Sequence, residues 1–438
     1  MKKRGLYTAV FLLITAVLGL TGCADNKDET LTTTFGGEDD DRAYAVQQTS
    51  DGGYIVAGEK GYVVDKEWDD DTQKWEENVS HTDIWIIKLD SDRDKSWEKT
   101  FGELNLDESA YAIQQTGDGG FIVAGGCENA TTSGTDGCVL KLDSAGNIEW
   151  QKRFDLSGYG PANAVLPTSD GGYIVVGTIL DFAWSNSDAW VAKLDGAGNT
   201  LWGNLYSGPG ADFDGAYSVR EITGGYIVAG YSFGLIPLDF NAWVFTVDGN
   251  GVQVYSQTYD FPDSNGVTGN EGAYDIQQTS DGGYIVAASR YPVSCTSGSD
   301  CREESTTIIF KLDPSLVKTW AVWLPGKQFS RAYSIIESAD GGFVAAGYTG
   351  TYVEKDILDK KVQVVSRDLW VVKLGADQSK VWEKTFGGMN DEQAWEIAPT
   401  SDGGFIVAGE TGSYGEGGFD AWVLKLDSNG KCEGDSCP

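Results

Sequence analysis

Asp51-Gly52-Gly53-Tyr54-Ile55-Val56-Ala57-Gly58 returns in near copies along the chain. Taking the second residue of each copy as a marker gives Gly52, Gly119, Gly171, Gly224, Gly282, Gly341 and Gly403, in steps of 67, 52, 53, 58, 59 and 62 residues. A fixed internal period overrides the two or three ordinary domains that 438 residues would otherwise suggest. The chain reads as one array of seven units.

Each unit reads as four strands. In the first unit Ala43-Tyr44-Ala45-Val46-Gln47-Gln48-Thr49 is followed by Tyr54-Ile55-Val56-Ala57. Ser50-Asp51-Gly52-Gly53 between them is a tight hairpin, in which glycine supplies the positive φ the turn needs. Asp83-Ile84-Trp85-Ile86-Ile87-Lys88-Leu89 is β-branched, aromatic and apolar on both faces in its middle, the pattern of a strand covered on both sides. Trp97-Glu98-Lys99-Thr100-Phe101 is the fourth. Seven residues separate Asp90 from Trp97, Asp143 from Trp150, Asp195 from Trp202, Asp248 from Tyr255, Asp313 from Trp320 and Gly375 from Trp382, and a turn of constant length fixes register.

The seventh unit lacks its fourth strand, because Lys425-Leu426-Asp427-Ser428-Asn429-Gly430 runs into Lys431-Cys432. The missing strand stands at the other end: Leu31-Thr32-Thr33-Thr34-Phe35-Gly36-Gly37 matches Trp382-Glu383-Lys384-Thr385-Phe386-Gly387-Gly388. The expected fold is therefore all-β, a seven-bladed β-propeller of four-stranded blades whose ring is closed by residues 31–37 completing the last blade. Five third-strand tryptophans (Trp85, Trp190, Trp243, Trp370, Trp422) and five fourth-strand ones (Trp97, Trp150, Trp202, Trp320, Trp382) are expected in the core.

The Lys-Leu-Asp-x-x-Gly-x-x-x-Trp hairpin from Lys141 to Trp150 resembles the blade repeat of the quinoprotein-like (PQQ-like) propellers. The whole unit resembles exported bacterial and archaeal propeller repeats of the Asp-Gly-Gly-Tyr-Ile-Val-Ala-Gly type, over roughly residues 31–430. The resemblance implies a fold and leaves the activity open, since such scaffolds serve many uses. A quinone is not implied: the quinone-dependent dehydrogenases typically carry an adjacent cysteine pair, which is missing here.

Lys2, Lys3 and Arg4 precede an apolar run from Ala9 to Leu20, the form of an export signal and too short for a comfortable membrane span. Leu20-Thr21-Gly22-Cys23 resembles the lipobox of bacterial lipoproteins, which implies cleavage before Cys23 and its lipidation. The organisation expected is a signal peptide over 1–22, a lipidated cysteine and tether over 23–30, and a propeller over 31–438, held in the cell envelope outside the cytoplasm. Removing Lys2, Lys3 and Arg4 takes the formal charge from −34 to about −37, which excludes a phosphate-binding face and with it nucleic acid. Six further cysteines pair locally as Cys127–Cys138, Cys295–Cys301 and Cys432–Cys437 in the simplest arrangement, although sequence alone allows fifteen pairings.

The tight turns gather at one end of each blade and the variable second-to-third connections at the other; residues 59–82, 126–135, 289–305 and 348–367 include the longest. The tether enters at the tight-turn end, so the long-connection face is expected to point away from the membrane. Trp68, Trp75 and Trp184 lie in long connections, where an aromatic stacks on sugar, plugs into a partner or packs its own loop. An acid recurs two positions ahead of the first-strand alanine as Asp41, Glu108, Asp214, Glu271 and Glu392, with Gly160 and Ser330 breaking the series. With the first strand innermost these would line the channel mouth, either capping their own turns or bridged by calcium, the one cofactor candidate. Asp83, Asp136, Asp188, Asp368 and Asp420 form a second series at third-strand starts, and Asp90, Asp92 and Asp94 resemble a calcium loop without its glycine. His81 is the only histidine, and no serine or cysteine motif accompanies it.

These features point to a monomeric, membrane-anchored binding scaffold for a protein or polysaccharide, working through its long-connection face. The alternative is an envelope glycan hydrolase or lyase with Asp41, Glu108 and Glu392 as acid and base.

Overall fold

The structure, a computed structural model, describes residues 33–432 except 70–73, 133, 156–157, 184, 211–212, 235–238, 264–265, 267, 293–304 and 358–359, and of residues 33, 65–79, 292 and 355–364 it describes at most the backbone. Cys23 and the tether, Trp184, Cys295, Cys301 and Cys437 lie outside the described residues, as do the side chains of Trp68 and Trp75.

Twenty-eight strands, β1 to β28 in chain order, form seven four-stranded antiparallel sheets. The first blade is β2 (Asp41–Gln48), β3 (Tyr54–Asp69), β4 (Lys74–Leu89) and β5 (Lys95–Phe101), hydrogen-bonded in that order. First strands of successive blades touch one another all round the ring, the last against β2, so the first strand is innermost and lines a central channel. In the last blade β1 (Thr33–Phe35) pairs antiparallel with β28 (Asp420–Leu426), Thr33 opposite Val423 and Phe35 opposite Ala421. The chain is a seven-bladed β-propeller. Its ring is closed by packing as well as by strand exchange, since Val46, Val56 and Ile87 of the first blade share one cluster with Ile406, Ala408 and Val423 of the last. No helix among the described residues is long and apolar enough to cross a membrane.

The two tight turns are built by the repeated motifs. Thr49 N donates to Gly53 O (2.8 Å) and Gly52 N to Thr49 O (2.9 Å), with Gly52 at φ 86°. Asp51 accepts from Gly53 N at 3.0 Å and pairs with Lys88 Nζ at 3.0 Å, which ties the Lys-Leu-Asp stretch to the Asp-Gly-Gly stretch of its own blade. The pair recurs as Lys141–Asp118 (2.9 Å), Lys193–Asp170 (3.0 Å), Lys311–Asp281 (2.9 Å), Lys373–Asp340 (2.6 Å) and Lys425–Asp402 (2.7 Å). In the fourth blade both members are replaced together, by Thr223 and Thr246. Joint loss fits a buried lysine that requires its carboxylate.

At the third turn Asp90 Oδ1 accepts from Asp92 N and Asp94 N, both at 2.9 Å, as Asp143, Asp195, Asp248, Asp313 and Asp427 do in their blades. The Asp90 to Asp94 run is thus a capped turn of the common kind.

Third-strand tryptophans are core, 0–2% exposed, whereas the fourth-strand ones are half-buried. Trp150 lies beneath the third-turn glycine of the next blade, Gly198, whose added Cβ would come 2.8 Å from the ring. These side chains seal blade against blade rather than filling one sheet's interior.

Two of the long connections are strands. In the first blade β3 and β4 stay paired out to Asp69 opposite Lys74, with Trp68 opposite Trp75. Nine residues beyond Lys60 carry this ribbon about 30 Å past the blade at ~3.4 Å per residue. The sixth blade has a second ribbon from β23 (Phe343–Ile357) and β24 (Lys360–Leu374). Residues 59–69 with 74–82, and 348–357 with 360–367, are therefore paired strands, not irregular loops. Cys127 and Cys138 are joined by a disulfide, as expected. Cys432 is disulfide-bonded and bridges to Leu426 at the tight-turn end.

Candidate binding site in the central channel

The first strand carries the same irregularity in every blade: its register against the second strand slips by one between Ala43 and Ala45, Ala110 and Ala112, Ala162 and Ala164, Ala216 and Ser218, Ala273 and Asp275, Ala332 and Ser334, and Ala394 and Glu396. The inserted residues are Tyr44, Tyr111, Asn163, Tyr217, Tyr274, Tyr333 and Trp395. A bulge re-aims one side chain and bends the strand. In six blades the second strand makes room with the last glycine of the repeated motif, and in the fifth Ala288 stands there opposite Ala273 with the same slip. A Cβ on Gly58 would lie 1.8 Å from Arg42 O, on Gly125 1.8 Å from Ser109 O, and on Gly347 1.9 Å from Arg331 O.

The bulged residues form a belt around the channel. Ring centroids are 5.5 Å apart for Tyr111 and Tyr44, 5.3 Å for Tyr44 and Trp395, 4.6 Å for Trp395 and Tyr333, 5.4 Å for Tyr333 and Tyr274, and 5.2 Å for Tyr274 and Tyr217. Asn163 interrupts the belt and donates to Ala216 O at 2.8 Å. All seven line a cavity of about 340 Å³, with Gln114, Arg220, Asp275 and Glu396 among its polar walls.

One layer deeper the cavity is two-sided. Blades one to three present Ala45, Ala112 and Ala164, while the other four present Ser218, Asp275, Ser334 and Glu396. Each of these four accepts a backbone N–H of the next blade: Ile276 N to Ser218 Oγ (3.4 Å), Ile335 N to Asp275 Oδ2 (3.0 Å), Ile397 N to Ser334 Oγ (3.3 Å) and Val46 N to Glu396 Oε2 (2.7 Å). Asp275 also holds Arg220 Nη2 at 2.9 Å and Ser218 Oγ at 2.8 Å. Glu396 lines the channel and is half-buried. Burial pushes its carboxyl up to about 8, with the charge of Asp275 acting the same way and the Val46 N–H and Arg220 opposing. Its burial thus favours the protonated form beside the Arg220-paired Asp275.

Toward the long-connection face, Tyr217 and Tyr274 are shared with a second cavity of about 240 Å³, whose lining includes Tyr231, Phe240, Glu271 and Tyr291. Arg331 packs behind the tyrosines that border the two cavities and lines neither, its guanidinium carbon 4.7 Å from the Tyr291 ring, 5.4 Å from Tyr333, 5.6 Å from Tyr274 and 5.7 Å from Tyr348, with Nη1 donating to Tyr333 Oη at 3.0 Å.

Of the acidic series expected at the channel mouth, Glu271 alone reaches it. Asp41, Glu108, Asp214, Glu271 and Glu392 are 1–3% exposed, and only Glu271 lines one of the cavities described above. Asp41 accepts from Gly37 N (2.8 Å) and Gly61 N (3.0 Å), and Glu392 from Gly388 N (3.0 Å) and Thr411 Oγ1 (3.2 Å). These are loop caps. Three of them meet the second acidic series across an interblade glycine: a Cβ on Gly36 would touch Asp420 and Asp41, on Gly102 Asp83 and Glu108, on Gly387 Glu392 and Asp368. Burial, then the neighbouring acid, raises Glu108 to about 7, and burial raises Asp420 to about 6. Glu271 rises to about 9 through burial, then Asp260, against Arg290 Nε at 3.4 Å. Among the described residues no three or more His, Cys, Asp and Glu side chains gather as a metal-ligand set.

His81 is buried in the first-blade ribbon with Nδ1 3.2 Å from Asp107 Oδ1. Strand alternation alone hides the belt, because each bulged residue fits an ordinary strand pattern. Its one signal in the sequence is an aromatic held between two small residues, as in Ala43-Tyr44-Ala45 and Ala110-Tyr111-Ala112.

Comparison with protein-family models gives no match, and comparison with curated proteins gives none. Among solved structures the chain is similar to Sqt1 from Chaetomium thermophilum, at 12% identity and TM-score 0.47, over 93% of this chain and 87% of that one. It is similar to the α-L-arabinofuranosidase Arb93A from Fusarium graminearum, at 12% identity and TM-score 0.45, over 72% and 92%. It is also similar to the β-propeller domain of the Trilobed protease from Pyrococcus furiosus, at 9% identity and TM-score 0.42, over 85% and 91%. At TM-scores below 0.5 these likenesses carry no argument about activity.

Proposed function

We propose that this chain is an exported, lipid-anchored propeller that binds a glycan in its central channel, entered from the long-connection face. The belt of six aromatic rings carries the reading. Such rings cover the apolar faces of sugars, while Asn163, Gln114, Asp275 and Glu396 offer hydrogen bonds around them. Every ring is fixed by a bulge in an inner strand, so little side-chain freedom is lost on binding. A cavity of about 340 Å³ admits a sugar chain and not a folded protein, which favours polysaccharide over protein as the partner.

The anchoring half rests on Leu20-Thr21-Gly22-Cys23 and on the direction of β1, whose N-terminal end points toward the tight turns of the last blade. A tether leaving there would hold the channel mouth away from the membrane.

A glycan array probed with the mature protein tests the binding claim: discrete hits are expected, and a blank array with a folded protein would refute it. Radiolabelled palmitate incorporation, abolished by Cys23→Ser, tests the anchor.

A second reading, hydrolysis or lysis of the bound glycan, is favoured by a protonated Glu396 and the Arg220-paired Asp275 in one cavity. It no longer rests on Asp41, Glu108 and Glu392, whose burial in blade junctions keeps them from the cavity. Release of reducing ends from the bound glycan, lost in Glu396→Gln, would establish it.

A further inference from the structure

The channel continues beneath the aromatic belt. On the tight-turn side lies a third cavity, of about 650 Å³. The residue three positions beyond each bulge lines it in all seven blades: Gln47, Gln114, Arg220 and Gln277 are polar, Leu166, Ile336 and Ala398 apolar. The belt likewise takes one residue from every blade, so both cavities lie on the axis of the ring, one above the other. They adjoin around that axis, because Gln114, Val165, Arg220 and Glu396, from four different blades, line both. The junction is roomiest along blades two and three. Asn163 interrupts the belt there, and Ala112 and Ala164 occupy the layer in which the opposite side carries Asp275 and Glu396. Toward the long-connection face Tyr217 and Tyr274 line both the central and the mouth cavity. An inner strand of eight residues, such as Asp41–Gln48, spans about 27 Å at ~3.4 Å per residue, room for several sugars in line.

The walls of the third cavity also state a chemistry. Side-chain amides serve hydroxyl groups as donors and as acceptors. The fold takes the oxygens of two of them, Gln47 Oε1 accepting from Gln115 N at 2.6 Å and Gln277 Oε1 from Arg220 Nε at 3.0 Å, which leaves their NH2 groups to donate. Among the described residues that line the three cavities Arg220 alone is basic, and Asp275 holds it at 2.9 Å. An acid group in the channel would therefore meet no free cation.

We infer that the glycan is an unbranched chain without acid groups, threaded along the axis so that it stacks on the belt, meets the amides beyond it and emerges at both faces of the propeller. The inference rests on the glycan-binding reading and names the form of its ligand. Because β1 closes the ring, such a chain enters by one of its ends and cannot slip in sideways.

The test uses long linear oligosaccharides of glucan, mannan, xylan and galactan, with any other unbranched hit of the glycan array, each biotinylated at both ends and bound to the mature wild-type protein. Streptavidin placed on both ends beforehand should abolish binding. Streptavidin added after binding should cap both emerging ends and slow release tenfold or more, since the protein is then trapped on the chain. Binding that survives early streptavidin, or release unchanged by late streptavidin, would show that the chain is held at one face; that result would overturn the inference and leave glycan binding standing. Branched or uronate-bearing chains that bind as tightly as the plain linear ones, or in their place, would overturn it as well. A glycan array blank throughout would overturn both readings.

Discussion

Gly58 faces Arg42 across the first blade so closely that a Cβ on the glycine would lie 1.8 Å from the Arg42 carbonyl oxygen. That approach is the backbone of the Tyr44 bulge, and it joins the most regular feature of the sequence to the channel it serves. The equivalent approach of Gly125 to Ser109 O is also 1.8 Å, whereas Gly119 has a positive φ of 84° and open space where its Cβ would be. Gly125→Ala should therefore cost on the order of 3 kcal/mol, by forcing backbone apart. Gly119→Ala should cost about 1 kcal/mol, from φ alone. Denaturant titration of the two variants checks the order, and equal losses would remove the bulge from its explanatory role.

The lysine–aspartate pair between turns makes a second expectation. Lys193 is buried and Asp170 mostly exposed, so Asp170→Thr strands a buried ammonium and should cost about 2 kcal/mol. Adding Lys193→Thr recreates the fourth-blade combination of Thr223 and Thr246 and should recover most of the loss. A double variant no better than the single one would show the two positions to be uncoupled.

Stability should peak in mild acid, near pH 4 to 5. Thr116, Thr168 and Thr279 hydroxyl bonds, with the lysine and glycine contacts, hold Asp118, Asp170 and Asp281 down to about 2, below their ordinary 3.8. Their contribution is present above pH 3.8 and is lost as pH falls toward 2. Glu108, Glu396 and Glu271 are raised from 4.5 to about 7, 8 and 9. The folded state then binds more protons than the unfolded one, so their contribution is complete below pH 4.5 and is lost as pH rises through those values. Melting temperature measured from pH 3 to 9 should rise and then decline; a maximum at pH 8 would contradict the buried acids.

Calcium should leave melting unchanged. Asp41, Glu392 and Asp90 already accept backbone N–H groups, which are the donors a cation would displace. A rise of several degrees on adding calcium, reversed by chelator, would show that these carboxylates do more than cap.

The ring was legible in the sequence because a period, a constant turn from Asp90 to Trp97, and a strand missing at one end and present at the other all state the same topology. The site was not, because strand alternation assumes an unbroken ladder. Tyr44 between Ala43 and Ala45 reads as one more alternating residue, and only the slipped register with Gly58 turns it into the channel. The ribbons escaped for another reason: polar residues such as Lys60 and His81 mark a loop by composition, yet both are paired within β3 and β4. The acids Asp41 and Glu392 were placed at the right end of the right strand, but a carboxylate beside a glycine loop folds back onto that loop's N–H groups.

The most direct measurement is calorimetric titration of the mature protein with its best array ligand, in parallel with Tyr333→Ala and Trp395→Ala variants confirmed as folded by their melting. Each truncation should weaken binding roughly tenfold or more, the cost of losing an aromatic anchor. Unchanged affinity in both would mean that the ligand does not enter the belt, and the channel would lose its claim to be the site.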